Sequence, residues 1–347
     1  MRGGKALSDQ TEPTLEQWKQ LFDIAMSIKK LEPWEFLWDT DLITLRLPGR
    51  DEPVCCYTMG QNHECYGIGV CPGHESIITF LRMVNGGPDD LPFVSGFEQK
   101  SLMCFYGNRE HVPPKDLDVI KSLGLRFRGK NQWIYFQSME PGYYPWQINA
   151  DQAALLIEAL QNFEAAFVAL HNGEVAVDFE AGETLVRSYS PEQGVWLNTA
   201  EEMPAIPEKL FTIRITDDIY AARLAKKKQT TARLEMELLY LPTPISENKD
   251  ERPYLPRFAL LLDKKSGLAL DQHLFDKDED ATRAMLDMLA GYIERHGRPL
   301  SVNVRDDRAG RHIEDFCGKT GIRLVQGAGL PAVDNLLEGM LDSLRSR

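Results

Sequence analysis

Residues 299–310 read "PLSVNVRDDRAG". Ser301, Val302, Asn303 and Val304 suit a short strand, and the adjacent Asp306 and Asp307 end it. The next stretch, "RAGRHIEDFCGKTG" (308–321), reads as a helix stopped by Gly321. Working backwards, "DEDATRAMLDMLAGYIERHG" (278–297) reads as a helix with an acidic cap and Gly297 at its end. Before it lie three strand-like runs: "TARLEMELLYLPTPI" (231–245), "PRFALLLDKKSG" (256–267) and "LALDQHLF" (268–275). Working forwards, "IRLVQG" (322–327) reads as a strand and "PAVDNLLEGMLDSLRS" (331–346) as a last helix.

The order is therefore β-β-β-α-β-α-β-α. Three strands joined by short turns should run antiparallel. Strands four and five arrive through helices and should lie parallel to their neighbours by right-handed crossovers. This element order resembles that of the ribonuclease H-like fold, a resemblance of topology that carries no activity by itself.

The N-terminal part is of another kind. "TLEQWKQLFDIAMSIKK" (14–30) has helical apolar spacing. "LITLRLP" (42–48), "PVCCYTMG" (53–60) and "CYGIGVC" (65–71) read as strands, the last two as a hairpin around "QNHE". A helix "ESIITFLRMV" (75–84), a strand "SLMCFYG" (101–107) and a Pro-initiated helix (113–124) follow. "RFRGKNQWIYFQSMEPGYYPWQI" (126–148) reads as a loop. Asn149 caps a long helix through residue 170, and residues 183–199 form a second hairpin. The fold class expected is α+β: a mixed α/β domain with antiparallel hairpins over 1–200, a linker over 201–230 with Pro204 and Pro207, and a ribonuclease H-like domain over 231–347.

Bulk properties bound the function. A chain of 347 residues suggests about two domains, and 43% hydrophobic with 26% charged residues is a globular balance. No apolar run approaches the roughly 18 residues of a membrane span, and no apolar segment follows the first basic residues. A cytoplasmic protein with reduced thiols and no membrane partner is expected. A net charge of −13 weighs against a polyanion-binding surface over the whole molecule, though a local basic groove remains compatible with it. Gly-rich phosphate loops, Gly-x-Ser-x-Gly elbows and His-Glu-x-x-His motifs do not occur.

The stretches "PWEFLWDTDLITL", "CYTMGQNHECYGIGV", "RFRGKNQWIYFQSMEPGYYPW", "LEMELLYLPTPI", "RPYLPRFALLLDKKSG" and "RPLSVNVRD" resemble an uncharacterised bacterial family of two paired domains of unknown function. The resemblance runs almost end to end. It implies that the two halves belong together, and it implies no activity, substrate or cofactor.

Three groups of residues could carry chemistry. Ribonuclease H-like nucleases hold two divalent ions on carboxylates of the first strand, the end of the fourth strand and the helices. Glu235 and Glu237 share one face of the first strand here, Asp306 ends the fourth, and Asp334 and Glu338 lie on the last helix, with Asp287 and Glu294 on the first. The nuclease reading takes Glu237, Asp306 and Asp334 as catalytic, with magnesium or manganese, although the first strand offers glutamates where that fold family usually has an aspartate. The bland reading is capping and solvated carboxylates. Second, His63, Cys65, Cys71 and His74 are candidate metal ligands, but no Cys-x-x-Cys occurs and buried thiols are the favoured reading, so no metal or cofactor is favoured. Third, Arg126, Arg128, Lys130 and Trp133 lie in the aromatic stretch and form the candidate partner-binding group, with burial of the aromatics as its rival. The leading functional reading is a non-enzymatic binding or scaffold protein whose partner would be a protein. The alternative is a divergent metal-dependent nuclease, and only that alternative calls for nucleic acid.

Overall fold

The computed structural model describes residues 11–85, 96–203, 213–214, 217–246, 248, 251–277, 279–327 and 329–345. The chain divides into two units, Met1–Glu208 and Lys209–Arg347. Each is an α+β assembly around its own mixed sheet.

The described residues of unit 1 form seven strands: β1 (Ile43–Arg46), β2 (Val54–Met59), β3 (Tyr66–Pro72), β4 (Ser101–Gly107), β5 (Trp133–Met139), β6 (Glu183–Ser190) and β7 (Val195–Glu202). They lie in the order β5-β4-β3-β2-β1-β6-β7, antiparallel except where β1 pairs with β6. Strand alternation sorts the side chains to two faces. Cys56, Ile68, Val70 and Cys104 join the large core under helices α1 (Leu15–Leu31) and α4 (Ala150–His171). Cys55, Tyr57, Cys71 and Met103 face the other way, onto Ile77 and Phe80 of α2 (Gly73–Asn85). Both long helices start at capping boxes, Thr14 with Gln17 and Asn149 with Gln152. Helix α4 has the length and apolarity of a membrane span, and 61% of its apolar window is buried inside this core.

The stretch 126–148, expected as a loop, holds β5. Ile134, Tyr135 and Phe136 are buried in it: Phe136 packs inward on Trp18 and Phe22, and Tyr135 stacks on Phe105 of β4. The strand's outer edge is closed by α3 (Pro114–Ser122): the Asp116 carboxylate accepts the Phe136 N–H at 3.4 Å, and Trp146 bridges to Ser138. Burial pushes the Asp116 carboxyl up to about 6 in spite of that bond and one from Gln147.

Unit 2 carries β8 (Arg233–Tyr240), β9 (Arg257–Asp263), β10 (Ala269–Leu274), β11 (Ser301–Asn303) and β12 (Arg323–Val325), in the order β10-β9-β8-β11-β12. The first three are antiparallel, and β11 lies parallel to both β8 and β12, as the element order required. Leu234, Met236, Val302 and Val304 form one core with α6 (Ala281–His296) and α7 (Asp307–Thr320). Helix α8 (Pro331–Arg345) packs on β8 and β9. The span 201–230, expected as a linker, contains the end of β7 and helix α5 (Asp218–Ala225). Ala221 and Leu224 of α5 are buried and the helix packs on α6 and α7, so it belongs to unit 2.

One backbone position in unit 1 shows how tight the α2 face is. Gly69 pairs with Tyr57, whose ring is buried and stacked on Phe80 with centroids 4.0 Å apart. A Cβ on Gly69 would lie 2.1 Å from the Tyr57 ring. Gly69→Ala is therefore expected to destabilise unit 1 by about 3 kcal/mol in urea unfolding, because the ring has no free volume to enter. Gly318→Ala on α7, where nothing lies within 4 Å, is expected to be neutral or stabilising.

Candidate functional site

The carboxylates of unit 2 meet on an arginine that the sequence reading left out. Strands β8 and β11 are parallel neighbours with Ser301 opposite Arg233 and Asn303 opposite Glu235. Continuing that register by two residues brings Arg305 beside Glu237. The Arg305 Nε donates to Glu237 Oε2 at 2.8 Å, and its Nη2 donates to Asp334 Oδ1 on α8 at 2.5 Å. The Glu237 side chain is 2% exposed and that of Arg305 is 11% exposed.

The electrostatics follow from that burial. Desolvation pushes the Glu237 carboxyl up to about 7; the Arg305 charge offsets part of the rise and the Asp306 charge adds to it. Burial alone would lower the Arg305 guanidinium, but the Glu237 and Asp334 carboxylates outweigh it and hold the charge firmly on.

The other acidic residues have separate tasks. Asp306 is the N-cap of α7: it accepts the Arg308 N–H at 2.9 Å and pairs with the Arg308 guanidinium. The Asp307 side chain lies outside the described residues. Glu235 is fully buried and turns its Oε2 to the N–H groups of Ala332 and Val333, at 2.9 and 3.2 Å, in the first turn of α8. Its Oε1 has Lys264 Nζ 3.6 Å away. Glu338 is exposed on α8. Asp287 and Glu294 lie on α6, which covers the opposite face of the sheet, and Glu294 pairs with Arg223 and Lys227. Glu237, Asp334 and Asp306 thus lie around one corner, but two of them bind one guanidinium and the third caps a helix. Among the described residues no group of three or more His, Cys, Asp or Glu is arranged to hold a metal ion. Arg305 was legible only as an arginine next to the aspartates at a strand end.

The cysteine–histidine group of unit 1 is not brought together. Cys65 and His63 sit at one end of β3, and Cys71 and His74 at the other, about 20 Å away along an extended chain. His63 Nδ1 bonds the Tyr66 hydroxyl at 3.1 Å, and His74 lies beside Glu52. Cys65 is exposed while Cys55, Cys56, Cys71 and Cys104 are buried. Burial pushes the Cys55 thiol up to about 11 and Cys104 to about 12, which keeps them protonated and weak as ligands. In the partner-binding group, Arg126, Arg128 and Lys130 are exposed and Trp133 is half-buried under the Arg109 guanidinium.

Residues 18–187 match the family model of a domain of unknown function, DUF7309, and residues 220–341 match that of a second, DUF6930. The chain carries these two domains in tandem. No curated protein matches it. Among solved structures, a chain of the cryo-EM structure of the simian T-cell lymphotropic virus intasome in complex with PP2A regulatory subunit B56 gamma is similar over 36% of this chain and 45% of that one, with 18% identity and a TM-score of 0.24. This chain spans less than half the length of that one, and a likeness of that size fixes neither fold nor activity.

The raised Glu237 carboxyl has a consequence for stability. The folded state holds this proton more tightly than the unfolded chain, whose ordinary value is 4.5. Its contribution is therefore complete below that value and is lost as pH rises through about 7. The unfolding free energy of the wild type minus that of Glu237→Gln is expected to fall by about 2–3 kcal/mol between roughly pH 5 and pH 8. Urea unfolding at several pH values measures it, and a flat difference would mean the carboxylate stays ionised throughout.

Proposed function

We propose that this is a non-enzymatic binding protein of the bacterial cytoplasm, in which unit 2 is a ribonuclease H-like domain whose acidic corner serves structure. The observation that carries this reading is Arg305. Two-metal hydrolysis needs carboxylate oxygens free to bind two cations about 4 Å apart. Here a guanidinium takes the charge of Glu237 and Asp334, Asp306 serves its own helix, and Glu235 serves the backbone of α8. The residues present do not fit a two-ion site. The strand order of unit 2 and its antiparallel-then-parallel pairing support the ribonuclease H-like reading. Binding is assigned to unit 1, where Arg126, Arg128, Lys130 and Trp133 form a cationic and aromatic surface.

Two measurements test the structural role of the corner. At pH 8, where the wild-type Glu237 is ionised, Arg305→Ala should lower stability by about 3–5 kcal/mol, because it strands a buried carboxylate or forces its protonation. Labelled RNA and DNA incubated with the full chain in magnesium or manganese should remain intact. Cleavage that disappears in both Asp306→Asn and Asp334→Asn would sink the proposal and make the corner an active site.

A further inference from the structure

The approach to β5 is the most concentrated positive stretch of unit 1. Residues 121–133, "KSLGLRFRGKNQW", hold Lys121, Arg126, Arg128 and Lys130 and no carboxylate, in a chain whose net charge is −13. Local structure puts these cations on display. Leu125 and Phe127 pack on the unit 1 core, with Phe127 stacked on Phe22 at 6.1 Å and edge-on to Trp133 at 6.0 Å. Alternation then sends Arg126 and Arg128 outward, and Lys130 is exposed beyond them.

The platform is held in place. Gly129 (φ +101°) and Asn131 (φ +57°) turn the chain into β5. The Asn131 N–H donates to Asn108 Oδ1 at 3.0 Å, and Lys29 Nζ donates to the Asn131 carbonyl at 2.5 Å. The Arg109 guanidinium lies 5.8 Å over the Trp133 ring, so a further cation stands beside an indole. Among the described residues, no ion pair neutralises Arg126, Arg128 or Lys130.

We propose that this face of unit 1 binds single-stranded nucleic acid through its phosphates; the inference rests on the binding-protein reading above. Arg126 and Arg128 alternate with the core-packed Leu125 and Phe127 and so lie on the exposed side, and Lys130 stands exposed at the turn made by Gly129. Guanidinium forks match phosphate oxygens. The chain's net negative charge opposes any polyanion at long range, so binding is carried by the local cations at close approach and by the counterions they release. The half-buried Trp133, with Arg109 over its ring, supplies an aromatic and cation–π edge beside these cations.

The test is fluorescence anisotropy of the full chain with labelled single-stranded RNA and DNA of about a dozen nucleotides, in EDTA and over a range of salt, beside a labelled oligoglutamate peptide. Both nucleic acids should bind, with log K falling against log salt at a slope of about −2 to −3, as expected for three to four phosphate contacts. Arg126→Ala with Arg128→Ala should weaken binding about tenfold and leave thermal unfolding unchanged, since both side chains are exposed. Absence of binding at low salt, or binding that the double variant does not change, overturns the inference. Binding of oligoglutamate alone overturns the nucleic-acid assignment and leaves the binding-protein reading standing. RNA cut when manganese replaces EDTA would instead overturn that reading, so the two failures are distinguishable.

Discussion

Strand β8 buries two carboxylates on one face of a sheet, and the arrangement of unit 2 answers to that fact. Taking an ionised carboxylate out of water costs several kcal/mol unless charge or hydrogen bonds compensate it. Glu235 and Glu237 alternate with Leu234 and Met236, so the strand that fills one core with apolar groups must present carboxylates to the other side. The compensation comes from elements far away in sequence. Glu235 receives two N–H groups from the start of α8, and Glu237 receives Arg305 from the end of β11. Arg305 in turn reaches Asp334 on α8. The last helix is thus held at two points, and both attach to the same strand.

Topology makes this possible. Because β11 arrives by a helical crossover and lies parallel to β8, the ends of the two strands point the same way and their side chains can meet in register. An antiparallel insertion at that position would have put the end of β11 at the opposite edge of the strand. Arg305, standing between Glu237 and Asp334, occupies the corner where these strand ends meet.

Much of the architecture was legible in the sequence. Period-two and helical patterns, glycine stops and caps gave nearly every element of unit 2 in order, because each is long or firmly punctuated. Helix α5 was missed: eight residues with two buried positions, Ala221 and Leu224, leave little periodic signal beside a run of charges. Strand β5 was missed because "WIYFQSM" opens with four apolar residues in a row, three of them buried in succession, and so shows little alternation. The Glu237, Asp306 and Asp334 neighbourhood followed from element order alone. The role of Arg305 did not, since a pairing across 68 residues depends on strand register. The cysteine–histidine group misled for the converse reason: residues near in sequence but lying along one extended strand are held apart.

The remaining question is why a buried ion pair stands where apolar residues would stabilise as much or more. Leu330 just before helix α8, with Val333 and Leu337 on it, forms a buried stripe that repeats every three to four residues. Such a stripe sets which side of the helix meets the sheet and specifies less about its position along the strands. Glu235 can bond only a helix's free N-terminal N–H groups, and only one register offers them. Asp334 reaches Arg305 only from the first turn of that register. The polar contacts therefore hold α8 at one position along β8, and the cost of burying the charges is set against that specificity.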